Sequence, residues 1–247
     1  MTFLLKLLRW PALIFILPAI AHLGIWSFKD KPSSWRHADW SSAGVLPHPA
    51  ITNQGIYVLV ARTGGLKGAF ATHSWIVTKT RGDSHYNRYD VVGWGKPVRK
   101  NAYPPDGRWF SNAPRIHFHI DGDEAGEMIG RVETAIANYK WRARGDYTLW
   151  PGPNSNTFVA IVLRSVPQLK IAMPTTAIGR DYPSPGKWIE KTKAGSWRAS
   201  LAGIAGIVVG PAEGFEINFL GLVAGFNISR REIKIPAFGT YSFSENI

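Results

Sequence analysis

A hydroxyl at the start of a buried helix is the feature of this sequence best suited to chemistry. The stretch Trp150-Pro151-Gly152-Pro153-Asn154-Ser155-Asn156-Thr157-Phe158 joins a rigid turn to an apolar run that reads as a helix over Thr157 to Val166. First-turn N–H groups of a helix lack intrahelical partners and carry partial positive charge. A nucleophile there, Ser155, has backbone donors at hand for an oxyanion. His73, on an expected strand, is a candidate base for Ser155, and Asp90, on the following strand, is the carboxylate best placed by sequence to orient the imidazole. Together they form a Ser–His–Asp hypothesis. Ordinary roles compete with each assignment. Asn154 or Ser155 suits a helix N-cap, worth about 1 kcal/mol; His73 beside Trp75 suits a hydrogen-bonded core histidine; and Asp90 can pair with Arg88.

Other residues suggest binding. His117 and His119 lie two apart on an expected strand, so both imidazoles can point one way as a metal site needs, with Asp121 in phase. No third ligand is evident, a polar strand face is the commoner outcome, and no cofactor is expected. Trp75, Trp94, Trp109 and Trp150 could line a groove that stacks a glycan, although aromatic residues at strand positions are more often core. Gly64-Gly65-Leu66-Lys67-Gly68 lacks the Walker spacing and a following helix, and reads as a turn.

Strands and helices must position these groups. Ile56–Ala61, Ala71–Thr78 and Tyr89–Trp94 are short β-rich runs that would pair as antiparallel neighbours, and Arg115–Ile120 alternates as a half-buried strand. Between Asp123 and Trp141 apolar residues recur at three- and four-residue steps, which predicts an amphipathic helix. The Gly-rich segments Leu201–Gly210 and Phe215–Phe226 are strand candidates, and no role is evident for Glu213 and Glu216 beside them. Residues 30–54, rich in Pro, Ser, Trp and His, read as an irregular linker lying against the domain.

Trp10 to Phe28 carry no permanent charge, close to the roughly 20 residues that cross a hydrocarbon core. Lys6 and Arg9 precede the run and no acid occurs before Asp30, an arrangement that places the body of the protein outside the cytoplasm. Ala19-Ile20-Ala21 has the form of a signal-peptidase site, but the apolar run continues past it, which favours an anchor over a cleaved signal. The chain has 29 Lys and Arg against 17 Asp and Glu, a net charge of +12. The anchor brings this charge to lipid headgroups and cell-wall polymers instead of nucleic acid, and the cationic residues are scattered instead of forming one tract, as on a solvated basic surface. With no Cys there is no disulfide scaffold, cysteine nucleophile or Cys-ligated metal.

ARTGG at Ala61, HSWIV at His73, RYDVVGWG at Arg88 and, most specifically, WPGPNSNTF at Trp150 resemble a bacterial family known as domain of unknown function 3750, from about Gly55 onward. More distantly, a strand His followed by an Asn-x-Asn-Thr-aromatic helix start is similar to circularly permuted papain-like peptidases of the NlpC type. That resemblance implies that His73 matches the family's histidine and Ser155 its cysteine, with Ser a far weaker nucleophile. The expected organisation is a membrane anchor or signal over 1–29, a linker over 30–54 and a single papain-like α+β domain over 55–247. Its antiparallel sheet would be packed with one buried and one amphipathic helix. The leading functional reading is an inner-membrane envelope protein whose domain faces the periplasm. Its cleft would bind a cell-wall peptide, glycan or lipid-derived ligand without turnover, through Trp75, Trp94, Trp150, Asn154 and Asn156. The alternatives are a serine-dependent amide or ester hydrolase and a structural assembly factor.

Overall fold

The computed structural model describes residues 9–184 and 186–243; Lys6 and the rest of residues 1–8 of the expected anchor lie outside the described residues. The chain is a mixed α+β structure built on two antiparallel sheets. The main sheet has strand order β4-β3-β2-β1-β5, from β1 (Gly55–Arg62), β2 (Thr72–Lys79), β3 (Asn87–Val91), β4 (Val98–Lys100) and β5 (Arg115–Asp121). β1 and β2 are buried on both faces, which is why they read as nearly continuous apolar runs. Ile56, Val58 and Ile76 face one core, shared with α2 (Gly122–Ala137) and α3 (Ser155–Ser165). Tyr57, Leu59, Trp75 and Val77 face a second core, closed by Trp109 and Tyr86 with Trp40 and Leu46 packed beside them.

Residues 30–54 contain neither helix nor named strand and fold back on that second core. Asp106 holds them there, accepting from the Ser42 hydroxyl (2.5 Å) and the Val45 N–H (2.8 Å).

Two helix boundaries differ from the periodicity. α2 stops at Ala137, four residues before Trp141, with Asn138 at its C-cap. Tyr139 stays buried, edge-on to Phe158 at 5.0 Å, so the apolar spacing outlasts the helix. α3 starts at Ser155 because Asn154, just before it, is the N-cap.

The C-terminal sheet is a meander of seven strands in chain order, β6 (Ile189–Lys191), β7 (Trp197–Leu201), β8 (Ala205–Gly210), β9 (Gly214–Phe219), β10 (Leu222–Asn227), β11 (Glu232–Ile235) and β12 (Gly239–Ser242). Each of the two expected long segments contains a turn. Ala202-Gly203 separates β7 from β8, and Leu220-Gly221, with φ of 56° and 87°, makes the two-residue hairpin that pairs Phe219 with Leu222. Positive φ at both central residues matches the twist of the flanking strands.

Glu213 and Glu216 now have partners. Glu216 accepts from Arg180 and from Lys234, and Glu213 accepts from the Ser196 hydroxyl at 2.6 Å. Asp181 pairs with Arg180 and Arg198. This buried ionic layer joins the inner face of the C-terminal sheet to the segment after α3.

The helical run α1 (Arg9–Ser27) is long and apolar enough to cross a membrane, and includes a π-helical turn over Ala12–Ile16. It touches the rest of the protein along one side. Phe15 meets Phe219 at 5.6 Å between ring centroids, His22 meets Phe238 edge-on at 4.7 Å, and Trp26 donates to Gly65 O at 3.0 Å.

Candidate functional site

The start of α3 is fastened to β2 by one side chain. Asn156 donates to Thr72 O and Ile178 O, both at 2.8 Å, and accepts from the Ser74 hydroxyl at 2.7 Å. Thr72 and Ser74 flank His73, and Asn156 follows Ser155, so this clamp brings the two candidate chemical groups to one end of the sheet. β3 pairs with β2 only over Ile76–Thr78, which leaves the His73 end of β2 open on that side. His73 and Ser155 both line a cavity of about 470 Å³ at this opening.

The approach is oblique. Strand alternation puts His73 in phase with Trp75 and Val77, on the face opposite to Ile76, against which α3 packs. The imidazole is stacked flat on Trp109, 3.7 Å between centroids and 7° from parallel. Its Nε2 lies 3.8 Å from Asp90 Oδ2 and has no hydrogen-bond partner. Burial pushes the His73 pKa below its ordinary 6.5; Asp90 opposes that shift and Arg88 adds to it. The ring is therefore neutral near pH 7.

Asp90 belongs first to Arg88. Oδ2 accepts from Nε at 2.9 Å and lies 2.8 Å from Nη2 of that side chain. The guanidinium also sits over Trp75 at 4.1 Å and donates to Pro104 O at 2.8 Å. Burial alone would raise the Asp90 carboxyl, but the pull of His73 and Arg88 lowers it overall.

Capping falls to Asn154. Its Oδ1 accepts from the N–H groups of Asn156 (2.9 Å) and Thr157 (3.2 Å), while the Thr157 hydroxyl accepts from the Asn154 N–H at 3.1 Å. Two first-turn donors, the Asn156 and Thr157 N–H groups, are thus already engaged. Asn154 Nδ2 donates to Leu149 O and Ile178 O, so the polar groups of Asn154 and Asn156 are largely committed within the protein. The Ser155 hydroxyl is spared a capping role. Among the described residues no hydrogen bond joins it to His73.

Aromatic rings make up much of the cavity wall: Trp35, Trp94, Trp109, Phe110, Tyr147 and Trp150. Trp94 and Trp150 are about half exposed (49% and 45%), as a stacking surface requires. Trp75, expected beside them, is fully buried, donates to Pro105 O at 2.8 Å and lies outside the cavity lining. It packs under Arg88 instead of facing a ligand. Trp35, Trp109 and Tyr147 join the wall through loops, where no strand or helix period marks them.

The two β5 histidines do not act together. The pairing register of β1 with β5 shifts between Val58 and Leu59, which interrupts the alternation that would align them. His117 Nε2 bonds Ala172 O at 2.8 Å, whereas His119 stacks on Tyr57 at 6.0 Å. Among the described residues no cluster of three His, Asp or Glu side chains could hold a metal.

Residues 53–182 match the family described as Protein of unknown function (DUF3750). That span carries β1 to β5, both helices of the main sheet and every group of the cavity named above except Trp35. No curated protein and no solved structure matches the chain.

Proposed function

The chain belongs to the DUF3750 family of proteins of unknown function, and we propose that it is a membrane-anchored envelope protein that binds a cell-wall-derived ligand without turning it over. One observation carries the non-catalytic reading. The Asn154 carboxamide occupies the Asn156 and Thr157 N–H groups, which takes two first-turn donors away from any tetrahedral oxyanion beside Ser155. A neutral His73 stacked on Trp109 can accept a proton, yet it has no hydrogen bond to the hydroxyl it would activate.

The cavity wall supports the ligand class. Exposed faces of Trp94 and Trp150 suit the apolar faces of sugar rings, and Lys67, also in the lining, suits a peptide carboxylate. The chain order of His strand before Ser helix, with α3 packed on an antiparallel sheet, supports a permuted papain-like arrangement. Arg9 before the apolar helix, and no acid before Asp30, support an anchor in the inner membrane with the domain on the periplasmic side.

The hydrolase reading keeps one favourable observation: Ser155 and His73 open onto the same cavity. Titration of the detergent-solubilised protein with disaccharide-peptide fragments of peptidoglycan, read by tryptophan fluorescence, tests both. Binding should saturate, survive Ser155→Ala and weaken at least severalfold in Trp94→Ala and Trp150→Ala, with the fragments recovered intact. Cleavage of the fragments, or fluorophosphonate labelling that vanishes in both Ser155→Ala and His73→Ala, would replace binding with serine hydrolysis.

A further inference from the structure

The C-terminal sheet turns its apolar face outward. Residues directly paired across antiparallel strands project to the same side. One such row is Trp197, Val209, Phe215, Phe226, Ile233 and Tyr241. Trp197 is 55% exposed, Val209 and Phe226 48% each, and Tyr241 47%. The next row on that side runs through Ile189, Ala199, Ile207 and Ile217. The interleaved residues Arg198, Glu216, Asn218 and Lys234 point inward to the ionic layer. A sheet facing water has the reverse pattern, and an outward apolar area of this extent marks a contact surface.

What covers it is indicated by α1. The helix lies against one end of the same face, through Phe15 on Phe219, and an apolar groove between them is walled by Trp10 and Ile14 on one side and Ile207 and Ile217 on the other. Phe15 sits well inside the membrane-crossing length, so lipid surrounding the helix meets the sheet. The inner strands are hydrogen-bonded on both sides, so the face can touch acyl chains without baring backbone donors. Its margin has the chemistry of a headgroup zone: Lys191 Nζ stands 5.6 Å over the Trp197 ring, and Arg230 and Arg231 are exposed in the β10–β11 turn.

We propose that the outer face of the C-terminal sheet lies against the acyl chains of the bilayer that α1 crosses, at the depth of Phe15. This rests on the anchor reading above, and the test separates the two. Because the chain has no Cys, single substitutions give unique spin-label sites on the full-length protein. Val209→Cys and Phe226→Cys report the sheet face, Ile20→Cys the helix and Arg131→Cys a water-exposed reference on α2. In nanodiscs of phosphatidylcholine with phosphatidylglycerol, the sheet labels should be relaxed by dissolved oxygen and shielded from a water-soluble nickel chelate, severalfold more than Arg131→Cys. Sheet labels open to nickel while Ile20→Cys is shielded would overturn the proposal and leave the anchor standing. Nickel access at Ile20→Cys would remove both. Shielding from oxygen and nickel together, with dipolar broadening between labels, would assign the face to a second copy of the chain and also overturn it.

Discussion

The His73 imidazole and the Trp109 indole lie flat against each other, 3.7 Å apart, and the stack forms one wall of the cavity. The indole keeps water from one face of the ring, and burial is the largest cause of the lowered His73 pKa. Trp109→Leu should admit water and move the His73 titration midpoint up toward 6.5. An NMR titration of the ring protons reads this directly, and an unchanged midpoint would assign the shift to Arg88 instead.

His117 gives the fold an acid sensitivity of defined sign. Burial carries its pKa from 6.5 down to about 4, opposed by the bond to Ala172 and reinforced by Arg115 and Arg180. The folded state prefers the neutral ring, so its contribution is complete above pH 6.5, falls as the pH drops toward 4 and changes no further below that. The span is on the order of 3 kcal/mol. Urea unfolding above pH 6.5 and near pH 4 should show His117→Gln losing less stability on acidification than the wild type.

Asn156→Ala should cost about 3 kcal/mol or more, because Thr72 O, Ile178 O and the Ser74 hydroxyl are left buried without this partner. Asn154→Ala removes the cap, a loss of about 1–2 kcal/mol before its other bonds are counted. Gly179→Ala should resemble it: φ is +98° there, and an added Cβ would strike the Asn154 carboxamide. Denaturant unfolding of the three variants checks the order. A loss below about 1 kcal/mol for Asn156→Ala would mean that the clamp is dispensable.

Glu216→Gln strips the carboxylate from Lys234 and leaves Arg180 with Asp181 alone, both cations being nearly inaccessible to water. Breaking such a pair typically costs about 3–5 kcal/mol. The double variant Glu216→Gln with Lys234→Met should be more stable than the single one, since one uncompensated cation is gone. Calorimetric or denaturant unfolding of the pair measures the difference.

The main sheet was largely legible because β1, β2 and β5 carry strong local patterns and α3 is bounded by Pro153 and Pro167. Legibility failed where the pattern depends on a distant surface. Ile207-Val208-Val209 is apolar at successive positions although only Val208 is buried, so no period of two announces the strand or its outward face. The turns at Ala202-Gly203 and Leu220-Gly221 are hidden inside runs of the same composition. In the cavity, the cap at Asn154 and the Arg88–Asp90 pair were both readable as alternatives. The stack on Trp109 was not, because that residue arrives on a loop positioned by residues 30–54. Asp106 lies in the Pro- and Gly-rich stretch Pro104-Pro105-Asp106-Gly107, where nothing local shows that its carboxylate oxygens accept from Ser42 and Val45.

The family match ends at Tyr182, immediately after Arg180 and Asp181, whose counterions Glu216 and Arg198 lie beyond it. Arg62 likewise donates to Ala237 O at 3.0 Å from inside the matched span. A fragment cut at the family boundary would part Arg180 from Glu216 and Asp181 from Arg198, and would bare both side chains where β7 and β9 now cover them. A piece extended through β12 keeps these bonds across the boundary, whereas one cut at Tyr182 loses them all.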